Sequence, residues 1–215
     1  MLIQTALNSE ALRRLIGVHG RISDLRDKQV EVLQNSIKLP ADRQNDERLV
    51  IGDIAKQLRK TLNEAIIWAA KDGALDVYGK QLPPNLEIID VTTMASQAQM
   101  RLAITDRLNQ MADEWTDTMD NLPGFPDEDS KPDPPVIFGL VIYKHILFIA
   151  TMNAGDLDAV EHIPTQLNMG EKNQHQWNAL AIMLTICWAR DILKKTATAM
   201  NLNPVPDTPS SDPDV

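Results

Sequence analysis

Apolar residues recurring every three to four positions, over two long stretches near the N-terminus, constrain this chain more than any other feature. From Ser9 to Lys38, Leu15, Val18, Ile22, Leu25 and Val32 fall on one stripe, interrupted by Gln29. From Asp46 to Lys71, Ile51, Ile54, Leu58, Ala65 and Trp68 do the same, with Leu62 and Ile66 widening the stripe. That spacing is the period of an α-helix. Asn8 or Ser9 can cap the first helix. Leu39-Pro40 ends it, because the residue before a proline avoids helical angles. Asp72-Gly73 stops the second. The short connection LPADRQN predicts an antiparallel hairpin with arms of ~40 Å at 1.5 Å per residue. Such a hairpin cannot bury both apolar faces by itself and needs later helices or a second copy.

Further along, Thr93–Met119 predicts a third helix, with Ile104, Leu108, Met111, Trp115 and Met119 on one face. Before it, LPPN reads as a turn and LEIIDV as an extended loop rather than a strand, since no partner strand is evident. Asp120–Pro135 holds five prolines and five acidic residues and reads as a linker. Val136–Met152 is apolar throughout except for Lys144 and His145. Its 17 residues sit at the bottom of the membrane-spanning range, and a charge at its middle is costly there. A buried central helix is the expectation, followed by a tight turn at Asn153–Asp156 and a short helix stopped by Pro164. Asn173–Met200 predicts the last helix, with Trp177, Leu180, Ala181, Leu184, Cys187, Trp188 and Ile192 on a broad apolar face. The tail from 201 carries four prolines and three aspartates and is expected to be disordered.

The fold class expected is therefore all-α: a multi-helix bundle with a long N-terminal antiparallel hairpin and a C-terminal αα-hairpin plus helix. Its parts are a helical region 1–119, an acidic proline-rich linker 120–135, a helical region 136–200 and a tail 201–215. The two helical regions are separate domains or halves of one core.

Charge is uneven. Residues 1–72 carry 12 Lys/Arg against 10 Asp/Glu, and residues 73–215 carry 9 against 20, for a net −9. The acidic part disfavours nucleic acid and anionic membrane. The single cysteine, Cys187, excludes an internal disulfide and suits a reducing compartment. No basic segment precedes an apolar one at the start, so no secretory signal is expected and the location expected is cytoplasmic.

Three constellations could carry chemistry. Arg14-x4-His19 resembles the Arg-x4–6-His motif of the HEPN ribonucleases. The resemblance implies a helical bundle in which His19 acts on a ribose 2′-hydroxyl and Arg14 supports the developing charge. The family's polar residue after the arginine is Leu15 here, and the motif lies in the first helix rather than a late one. Asp158 with His162, and Glu171 with His175, are carboxylate-x3-His pairs that a helix would turn to one side, as a divalent metal requires. Lys144-His145 inside an apolar helix would need partners and could mark a ligand or proton-handling site. Against these readings, Trp68, Trp115, Trp177 and Trp188 fall on apolar faces and read as core, as does the Cys187 thiol.

Shorter stretches carry further likenesses. NAGDLDAV resembles the turn of tetratricopeptide-type helical hairpins, and is similar to part of one small-terminase family. LPPNLEIIDVTTMASQAQ resembles a segment of some tailed-phage portal proteins. They imply a phage or viral particle component. Phosphate loops, Cys-x2-Cys pairs and Gly-x-Ser-x-Gly elbows are absent.

The function expected is a non-enzymatic helical interaction or assembly protein with no cofactor. Its expected partner is a protein, either a second copy or a helical partner, and neither membrane nor nucleic acid. The alternative is a helical-bundle enzyme, either HEPN-like or carboxylate–histidine metal-dependent. A third possibility is a small-molecule binder with its pocket around 136–152.

Overall fold

The computed structural model describes residues 9–35, 40–123, 131–156 and 161–204, with side chains 28, 29, 31–35 and 40–48 left aside. Linker residues 124–130, Asp158 and the tail from 205 lie outside the described residues.

Among the described residues, four long helices and a four-stranded sheet alternate along the chain. They are α1 (Glu10–Asn35), α2 (Pro40–Asp72), β1 (Leu86–Asp90), α3 (Gln97–Asp120), β2 (Val136–Tyr143), β3 (Ile146–Asn153), β4 (His162–Asn168) and α4 (His175–Ala199). The sheet order is β1-β2-β3-β4. β1 runs parallel to β2, with Leu86 opposite Phe138 and Asp90 opposite Ile142. β2–β3 and β3–β4 are antiparallel. The all-α helical bundle expected from the sequence is therefore incorrect: the fold is mixed α and β.

The error lies in Val136–Met152, which forms a β-hairpin rather than a helix. Tyr143 pairs with Ile146, so Lys144 and His145 are its two-residue turn. Lys144 takes φ 55°, the positive angle that tight hairpin turns require. The run shows no in–out alternation because helices cover both faces of β2, whose six central residues are buried. The expected αα-hairpin fails with it. Asn153–Asp156 is instead a turn between strands, with Gly155 N–H bonded to Asn153 Oδ1 at 3.2 Å. Pro164 lies within edge strand β4, opposite Ala150 where the register shifts between Ile149 and Thr151. A proline is tolerated at such a bulge because no ladder donor is lost. LEIIDV is a strand after all. Its partner was hidden in the segment read as a helix.

The long helices stand close to their expected bounds. Ser9 Oγ accepts the Leu12 N–H at 3.1 Å and caps α1. α2 begins six residues before the expected Asp46, at Pro40, a residue suited to a first helical turn. Its end is a left-handed cap at Ala74 (φ 51°), with Leu75 N–H bonded to Ala70 O and Ala74 N–H to Lys71 O. Gly73 serves a different need: a Cβ there would lie 2.8 Å from the Arg190 side chain. Asn201 (φ 52°) closes α4 in the same way as Ala74.

Two cores flank the sheet. On one face α1, α2 and α4 enclose Phe138, Leu140, Ile142, Leu147 and Ile149, with Leu15, Ile22, Leu58 and Leu62 buried among the helices. On the other, α3 sets Ile104, Leu108, Met111 and Trp115 against Ile89, Ile137, Val141, Ala150 and Met152. Gly139 lets α3 sit close, since a Cβ there would stand 3.1 Å from Ile89 and 3.4 Å from Leu108. Both cores draw residues from either side of the linker. Arg190, buried at the α2–α4 contact, is paired to Asp72 and Asp191. Asn85 Nδ2 donates to the carbonyls of Val136 and Ala189, tying β1 to β2 and α4. No described helix is long and apolar enough to cross a membrane.

Candidate functional site

α3 packs over β2 and leaves an open groove beside it, between its N-terminal half and strands β3 and β4. The groove holds about 620 Å³. Gln97, Met100, Arg101 and Ile104 line it from α3, and Val91, Val141, Tyr143 and Phe148 form its floor. Glu161 and Ile163 close the far side. The side chains here follow from the pleat: Val141 opposes Phe148, so both point to the α3 side, as does Tyr143 two residues on. Ile163 remains 45% exposed at the rim.

One ion pair crosses the groove. Arg101 Nε donates to Glu161 Oε1 at 2.7 Å, linking α3 to the segment entering β4. The two differ sharply in environment: the Arg101 side chain is 72% exposed and that of Glu161 only 7%. Burial pushes the Glu161 carboxyl upward, but the Arg101 hydrogen bond and neighbouring donors outweigh it and hold it below the ordinary carboxylate range. Glu161 is therefore an ionised carboxylate with its charge already matched. At the other end, Lys144 Nζ lies 5.5 Å from the centre of the Tyr143 ring.

The residues singled out in the sequence are dispersed. Arg14 is exposed on the outer side of α1 and engaged by Glu10 (2.8 Å) and Glu64 (3.0 Å), which raise its pKa. His19 is buried on the inward side, where Asn178 Nδ2 lies 3.2 Å from its Nε2. Asn178 Nδ2 also donates to the Asn168 carbonyl at 2.9 Å, which fixes the amide orientation. With one amide hydrogen so used, the other is placed to donate to His19 Nε2. Arg14 and His19 thus face different environments and share no reacting centre. Burial, and the nearby His175, depress the His19 pKa.

His162 and His175 are likewise apart. His162 opens β4, about 20 Å from Asn168 at the strand's other end by strand rise. His175 lies past that end, its ring centre 6.1 Å from that of His19 and its Nδ1 donating to the Lys172 carbonyl at 2.7 Å. Among the described residues no three His, Cys, Asp or Glu side chains gather as a metal would require. Lys144 and His145 occupy the hairpin turn. His145 O accepts the Met169 N–H at 2.8 Å, and burial with Arg26 and Lys144 nearby depresses its pKa. Cys187 is buried, which pushes its thiol pKa up and away from reactivity. Of the four tryptophans read as core, Trp115 is fully buried, its Nε1–H bonded to Pro84 O. Trp177 and Trp188 are 73% and 55% exposed, which corrects that expectation.

The groove residues were missed because they converge only through the sheet. Tyr143 and Phe148 were assigned to a helix, and Arg101 reads as an ordinary solvated helix residue. The one local signal was Lys144-His145: a polar pair splitting a β-branched apolar run marks a hairpin turn.

Compared with protein-family models, curated proteins and solved structures, the chain matches none.

Proposed function

We propose that the chain is a non-enzymatic binding protein whose recognition site is the groove beside α3. The observation that carries this reading is the groove's make-up: a largely apolar concavity of about 620 Å³ with, among the described residues, a single ion pair across it. That volume and that ratio of apolar wall to placed polar groups are those of small-molecule sites. The dispersal of Arg14, His19, His162 and His175 supports binding over catalysis. A reducing, intracellular setting fits the lone buried thiol. The test is chemical-shift mapping with a neutral apolar probe, 1-decanol. Shifts centred on Val91, Met100, Ile104, Phe148 and Ile163 are expected. Shifts elsewhere, or none at saturating probe, defeat the proposal.

A second reading, association with a protein or a second copy, rests on α4. Trp177, Ala181, Leu184 and Trp188 follow one helical stripe, and both tryptophans stand largely in solvent. Sedimentation of the protein across micromolar concentrations tests self-association. A Trp188→Asp variant should shift any dimer to monomer, and a wild-type monomer throughout that range excludes the second copy.

A further inference from the structure

Resting on the groove reading above, we infer the class of ligand: a single-headed amphipathic carboxylate, with an apolar tail on the sheet and its head at Arg101. The tail follows from the walls, where Tyr143, Phe148, Met100 and Ile104 offer aromatic and flexible aliphatic surface with no hydrogen-bonding ladder.

The sign of the head follows from the charges around the groove. Glu161 is its negative group, and that charge is matched by Arg101 Nε. Arg101 has more to offer: its two terminal nitrogens have no hydrogen-bond partner among the described residues. They form the fork that a carboxylate meets with two parallel bonds. Two further sources of positive potential flank the site. Gln97, a lining residue, is the first residue of α3, whose opening turn carries no acidic side chain. Lys144, over Tyr143, is the other. A cationic head would meet a carboxylate already paired and two repelling fields. A carboxylate head would meet an open guanidinium edge and two favourable fields.

The segment from Arg101 to Glu161 also sets the geometry. The ion pair runs from α3 to the start of β4, so the guanidinium is anchored beside the groove although most of the side chain meets solvent. Arg101 is then a clamp positioned by Glu161, with its outward edge left for the ligand.

The experiment compares three probes with the same ten-carbon tail, decanoate, 1-decanol and decylamine, titrated calorimetrically into the full chain below their aggregation concentrations. Decanoate is expected to bind about tenfold more tightly than decanol, and decylamine most weakly. Arg101→Gln should bring decanoate down to the level that decanol shows in the same variant. Arg101→Gln leaves the enclosed Glu161 carboxylate unpaired, so the melt is recorded alongside and the comparison is repeated in the Arg101→Gln/Glu161→Gln double variant, which removes both charges and should likewise lose the decanoate preference. Equal binding of the three probes, preference for decylamine, or an unaltered decanoate preference in Arg101→Gln overturns the carboxylate assignment while leaving the groove as a site. Failure of all three to bind overturns the groove itself.

Discussion

The two faces of the sheet are built to different standards. Under α1, α2 and α4, the strand side chains Phe138, Leu140, Ile142 and Leu147 are fully enclosed. Under α3, burial is as complete at Ile137, Val141 and Ala150 but gives way to half-buried Tyr143 and Phe148 and exposed Ile163 toward β4. Three helices can tile a four-stranded sheet; one cannot. Among the described residues, the single crossover helix between β1 and β2 covers Ala150 and Met152 of β3 but leaves Phe148 half-buried and Ile163 exposed, and this incompleteness becomes the concavity.

The largest effect that would test this contrast is on the enclosed face. Leu140→Ala should cost about 2–5 kcal/mol in denaturant unfolding, because packed neighbours cannot collapse onto the cavity. Ile163→Ala at the groove rim should fall within about 0.5 kcal/mol of wild type. Equal costs would mean the faces are packed alike. Next is the buried clamp between α2 and α4. Arg190→Ala should cost about 1–3 kcal/mol by the same measurement, from charged hydrogen bonds lost to Asp72 and Asp191. A smaller effect comes from acid. His19 and His145 both have folded pKa values below the ordinary 6.5, so the unfolded chain binds more protons. Stability is then fully present above about pH 6.5 and falls as pH drops below it toward the folded values. His19→Gln should flatten part of that slope between pH 7 and 5; an unchanged slope would remove His19 from the account. Trp188→Ala should also cost little in denaturant unfolding, since it loses the edge-on contact with Phe138 (ring centres 5.3 Å apart), worth about 0.5–1.5 kcal/mol.

The same contrast explains what could be read from the residues in order. α1, α2 and α3 each present one buried stripe, so Leu15, Leu58 and Leu108 announce themselves at helical spacing, whereas α4 buries Ile182, Ile186 and Leu193 and, of the face read from its spacing, only Cys187. β2 is covered on both sides, so Ile137 to Ile142 are uniformly apolar and the period of two is erased. β1 became invisible with it, since a parallel partner some fifty positions away leaves no local trace. The tryptophans mislead for a related reason: α4 is apolar over more of its circumference than it buries, and Trp177 and Trp188 fall outside the arc that holds Ile182, Ile186 and Leu193. Of the candidate site, only the Lys144-His145 interruption carried information, and its meaning was conformational before it was chemical.

Pro164 has a consequence for how this molecule can meet others. An open edge strand ordinarily invites a foreign backbone to zip alongside it, and that route leads to fibres as readily as to complexes. On β4 the ring removes a donor and the bulge breaks the spacing at the same point. Anything the protein grips at this margin must be held by shape and charge, not by lending it another rung.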